Sequence, residues 1–95
     1  DLATALFCIL YYQEKKDNSR SEALRKAQFK LRNLTGDELS GKYKRSLEDY
    51  FEQQKREQQA ETIKNVRLRL DLLCRETLPF VSPHYWAGFV SQGLA

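Results

Sequence analysis

The chain has 95 residues, 41% of them hydrophobic and 31% charged, with 16 basic against 13 acidic side chains and a net charge of +3. That length holds one small domain with a modest buried fraction, and so slight an excess of cations predicts neither nucleic-acid nor membrane binding by itself. No apolar run reaches the roughly 18–20 residues that cross a bilayer, and the apolar opening at 2–12 lacks the basic leader and small-residue cleavage site of a secretory signal.

Residues 2–15 are predicted to form a helix. Leu2, Ala3, Leu6, Phe7, Ile9, Leu10 and Tyr11 leave it almost no polar face, and a helix apolar nearly all round has to be covered on several sides. Its neighbours are therefore expected to lie partly outside this sequence. A polar turn follows at 15–20, where Ser19 and Glu22 have the spacing of a capping box. The second helix is expected over 20–33, with Ala23, Leu24, Ala27, Leu31 and Leu34 on its apolar stripe and Arg25, Lys26, Lys30 and Arg32 outside. Gly36 is placed to take the left-handed conformation that ends such a helix, and 37–41 reads as a linker.

No glycine or proline occurs between Gly41 and Pro79, so 42–76 is predicted to be one long helix or a pair with a soft break. A continuous helix of that length would span roughly 50 Å, longer than so small a domain is wide. Tyr43, Leu47, Tyr50 and Phe51 mark one apolar end, and Ile63, Val66, Leu70 and Leu73 the other at 3-4-3 spacing. Between them, 52–62 offers only Ala60 and cannot be core, so the two ends could close as a hairpin around a polar tip. Lys64, Arg67 and Arg69 could meet phosphates, but the segment mixes nine basic with seven acidic residues, the pattern of a solvated face.

From Thr77 onward no Asp, Glu, Lys or Arg appears. Pro79 and Pro83 argue against a regular helix, and residues 89–92 between Gly88 and Gly93 read as a short buried strand. An isolated strand is unstable, so it is expected to join a sheet supplied from elsewhere, with Tyr85, Trp86 and Phe89 anchoring the tail against the first two helices. Cys8 and Cys74 are far apart and read as buried thiols in a reducing cytoplasm. With His84 the sole histidine, no zinc site or other cofactor is expected. The sequon Asn33-Leu34-Thr35 reads as accidental in the absence of a secretory signal.

Two blocks carry a family resemblance. Tyr11 with Ser19-Arg-Ser-Glu-Ala-Leu-Arg-Lys-Ala-Gln28, followed after a long insert by Pro83-His84-Tyr85-Trp86-Ala87-Gly88-Phe89-Val90, resembles the C-terminal part of a CHAT domain. The chain departs from that pattern at Gly88, where the family usually has proline, and in its ending Ser91-Gln-Gly-Leu-Ala95. The resemblance implies an α/β caspase-like fold, of which this chain would be the mostly helical C-terminal portion with one short strand. It divides the chain into a helical region at 1–41, a charged helical insert at 42–76 and the tail at 77–95. It further implies a parent cysteine peptidase, bacterial and cytoplasmic, whose His–Cys dyad lies upstream of the matched blocks. His84, Cys8 and Cys74 would then be non-catalytic, since none matches a dyad position. The chain's expected role is that of a small-subunit-like structural part, partnered by the N-terminal catalytic portion of the same domain and possibly by a further protein through 42–76. The candidate structural and partner residues are Tyr85, Trp86, Phe89, Leu47, Tyr50, Phe51, Ile63, Val66 and Leu70. The alternatives are a stand-alone helical interaction module using the same apolar ends and, more remotely, a basic helical nucleic-acid binder.

Overall fold

A computed structural model describes residues 2–54 and 60–85 of the chain. Among them there is no strand; the elements are α1 (Leu2–Lys15), α2 (Arg20–Asn33), α3 (Gly36–Glu38), a π-helical turn (Leu39–Tyr43), α4 (Lys44–Gln53) and α5 (Ala60–Cys74). The strand expected at 89–92 lies outside the described residues. The described residues form two compact units, one joining Ala3–Leu34 to residues 80–85, the other containing Leu2 and Thr35–Pro79.

In the first unit, α1 buries Ala3, Leu6, Phe7 and Leu10, and Leu2 is buried as well. This is a single stripe with helical spacing. Its other side carries Thr4, Ala5 and Cys8, small groups that lose little by meeting water, and Tyr12 is 71% exposed. α2 has the expected bounds and buries Ala23, Leu24, Ala27 and Leu31. At its start the Ser19 hydroxyl accepts the Glu22 N–H at 3.3 Å, the serine half of the expected capping box. The turn between α1 and α2 is held by Asn18, whose amide donates to the Glu14 carbonyl at 2.8 Å and accepts from Lys26 at 2.7 Å. Glu14 also pairs with Lys30. Residues 14 and 18 on one side thus meet 30 and 26 on the other, the order of an antiparallel helical hairpin.

The second unit begins with two corrections. α2 ends at Leu34 in extended backbone, with φ −64° and ψ 130°, and no left-handed residue is needed. Gly36 is instead the buried first residue of α3, and the expected linker at 37–41 is helical. The signal missed in the sequence is Thr35-Gly-Asp-Glu38, a complete capping box: the Thr35 hydroxyl accepts the Glu38 N–H at 3.1 Å, and the Glu38 carboxylate accepts the Thr35 N–H at 3.3 Å. Glycine is required at 36 by proximity. A Cβ there would overlap the Glu76 carbonyl oxygen and stand 2.5 Å from that of Cys74, while the Gly36 N–H donates to the Thr77 carbonyl at 3.2 Å.

The choice left open over 42–76 falls to a hairpin, because α4 packs against α5. Leu47 and Phe51 are buried on one helix and Ile63, Leu70 and Leu73 on the other. Ion pairs Lys44–Asp71 (3.0 Å) and Glu52–Arg67 join the two helices in antiparallel order. Each buried aliphatic or aromatic side chain contributes about 1.5–3 kcal/mol, whereas exposed ion pairs such as these are worth about 0–1 kcal/mol. The apolar faces therefore hold the hairpin and the ion pairs set its register.

Gly36→Ala should destabilise the chain by about 2–3 kcal/mol, since the clash is with carbonyl groups of the backbone that cannot rotate away. Gly41, where an added methyl group would meet nothing within 4 Å, is the control: Gly41→Ala should be neutral or stabilise by up to about 1 kcal/mol. Urea unfolding of both variants checks the pair, and equal effects would remove the close-approach explanation.

Candidate functional site

The tail turn is organised around Phe80, which is fully buried. The chain reverses beyond it through Ser82, whose carbonyl accepts the Tyr85 N–H at 3.1 Å and whose hydroxyl accepts the His84 N–H at 3.3 Å. Pro83 occupies the first position of this single helical turn, where its fixed φ fits and its missing N–H costs nothing. The Tyr85 ring meets Phe80 edge-on at 5.2 Å, and His84 stands against Tyr85 at 5.3 Å. Tyr85 is half-buried and His84 exposed. Trp86 and Phe89 lie outside the described residues. Sequence reasoning overlooked Phe80, although an aromatic beside Pro79 in a charge-free stretch was an available signal.

The two thiols sit in different surroundings. Cys8 is exposed on the outer side of α1, which corrects the expectation that it is buried. The stripe that turns inward is set by Leu6, Phe7 and Leu10, and position 8 falls on the opposite side. Cys74 is half-buried near the end of α5. Desolvation pushes its thiol pKa up; the Lys44 ammonium works against this, and Asp71 and Glu48 reinforce it. A reactive cysteine needs the opposite shift, toward thiolate at neutral pH. Among the described residues no group of three or more His, Cys, Asp or Glu side chains could hold a metal ion.

The apolar ends of the 42–76 segment are mostly turned inward. Leu47, Phe51, Ile63 and Leu70 are buried, Val66 is half-buried, and Tyr50 is 46% exposed. The large apolar groups that α5 does expose are Leu68 and Leu72, one turn apart. On α2, Phe29 is 60% exposed. Neither the α5 pair nor Phe29 was singled out from the sequence, because each lies off the stripe that identifies its helix. No helix among the described residues is long and apolar enough to cross a membrane.

The family model for the CHAT domain matches residues 1–94 of the chain. No curated protein matches it, and no solved structure does.

Two outcomes follow from this geometry. Phe80→Ala should cost about 3–5 kcal/mol in thermal or urea unfolding, as truncation of a buried aromatic does; a loss near zero would mean that the tail turn is not anchored there. Iodoacetamide at neutral pH should alkylate Cys8 at least about tenfold faster than Cys74, because Cys8 is exposed whereas Cys74 is half-buried and held toward its thiol form by desolvation. Peptide mass mapping over a time course gives the ratio, and equal rates would contradict the burial of Cys74.

Proposed function

This chain belongs to the CHAT domain family, and on that premise we propose that it is the helical C-terminal portion of a caspase-like cysteine peptidase domain. In this reading it supplies structure and a partner-presenting hairpin, and the catalytic dyad lies in the preceding portion of the domain. The observation that carries the reading is the condition of its own candidate nucleophiles and base. Cys74 is held toward its protonated form by desolvation, Cys8 is exposed on the outer side of α1, and the exposed His84 stands edge-on against Tyr85. A nucleophile and its base have to lie within hydrogen-bond reach, about 2.6–3.2 Å, and among the described residues of the first unit no hydrogen bond joins His84 to Cys8.

The tail supports the same reading in a different way. A segment without a formal charge, beginning at the buried Phe80 and continuing through Tyr85, Trp86 and Phe89, suits a strand that completes a sheet supplied by the rest of the domain. The hairpin at 42–76 lies within the residues the family model matches. Leu47, Phe51, Ile63 and Leu70 hold its two helices together, and the outer surface, largely charged apart from Tyr50, Leu68 and Leu72, is left for another protein to meet. Charges on such a rim act on recognition and association rate more than on affinity.

The test uses the full-length protein that carries this segment, assayed for cleavage of its own or a reporter polypeptide. Cys8→Ser and Cys74→Ser, alone and together, should leave the rate within about twofold of wild type. A fall of about a hundredfold at unchanged thermal midpoint would place a catalytic thiol in this chain and end the proposal.

A further inference from the structure

The positive charge of this protein is concentrated on one helix. α2 carries Arg20, Arg25, Lys26, Lys30 and Arg32 against Glu22 alone, a net of +4, whereas the rest of the chain has eleven cations against twelve carboxylates. Those cations fall into two rows. Lys26 and Lys30, one turn apart, are drawn to the end of α1, Lys26 by Asn18 and Lys30 by Glu14. Arg25 and Arg32 lie in a second row, seven residues and about 10 Å apart along the axis, with Phe29 between them. Phe29 is 60% exposed, and with Arg25, Lys26, Gln28, Lys30 and Arg32 it lines a shallow hollow on this face.

We infer that this face of α2 is a docking surface for an acidic protein segment that carries an aromatic or large aliphatic anchor. An apolar anchor ringed by cations has the anatomy of a protein interface, with a desolvated centre inside a polar rim. The arginine fork suits carboxylates, and its flat face can also lie against an aromatic ring. The same features fit a nucleic acid poorly. Phosphate binding gains by neutralising many charges along a strand, yet an exposed phenylalanine occupies the middle of the outer row. The surface is distinct from the α4–α5 hairpin, so the inference stands or falls separately from the role proposed for that hairpin.

The test measures fluorescence anisotropy of three labelled probes at physiological salt: a random glutamate–tyrosine copolymer, poly-glutamate of the same length, and a single-stranded oligonucleotide. The copolymer should bind about tenfold more tightly than poly-glutamate. Phe29→Ala should abolish that preference, Arg25→Glu should weaken copolymer binding about tenfold or more, and Lys64→Glu, a like change of charge on α5, should leave it within about twofold. Circular dichroism melts keep the comparison clean, since Phe29 and Arg25 are exposed and their replacement should barely move the transition. Equal affinity for copolymer and poly-glutamate would reduce the surface to simple ion exchange. Tighter binding of the oligonucleotide would assign it to nucleic acid. Either result overturns the inference.

Discussion

In the second unit two stretches of backbone approach each other closely. The start of α3 runs against the carbonyls that come after α5, and only a residue without a side chain fits at Gly36. The Gly36 N–H completes the junction by donating to Thr77. Much of the second unit depends on it, because α3 leads through the π turn into α4, and α4 has to arrive beside α5 for Leu47 and Phe51 to meet Ile63 and Leu70. The capping box at Thr35 and Glu38 aims the helix as it leaves the junction. A hydrogen-bonded cap is worth only about 1 kcal/mol, so direction comes from the cap while the hold comes from burial.

The distribution of charge follows the same division between direction and hold. The ion pairs across the hairpin and between α1 and α2 are exposed on at least one side and add little stability. They do select register, since Lys44 with Asp71 and Glu52 with Arg67 match only in the antiparallel order. The ammonium of Lys30 holds the Glu14 carboxyl below the usual carboxylate range. A depressed carboxyl contributes stability above its unfolded pKa and loses it as pH falls through the folded one, so this contact is present at neutral pH and fades in acid. Lys44 is shifted the other way, upward by Asp71. Its contribution is present through neutral pH and is lost only as alkali approaches the raised value.

A family whose resemblance implies a cysteine peptidase invites attention to every thiol and histidine. Burial drives Cys74 toward the thiol form, and His84 contributes its backbone N–H and a ring contact to a turn.

Much of the helical layout was legible in the sequence. The stripes of α1 and α2 repeat at helical spacing, Ser19 marks a helix start, and the polar stretch after Phe51 separates two apolar ends, so both the helices and the possibility of a hairpin could be read from local pattern. The paired blocks around 19–28 and 83–90 likewise announced the family. Only the tertiary structure decided what Gly36 is for. A glycine after a helix looks the same whether it supplies a left-handed turn or room for a neighbouring carbonyl, and that neighbour comes from a segment some forty residues away. It also decided between one long helix and a hairpin, and which side of α1 meets water, leaving Cys8 outside and Phe80 within. Local sequence sets which residues share a face, whereas burial depends on what the rest of the chain brings to that face. That second condition is met only when the whole fold forms.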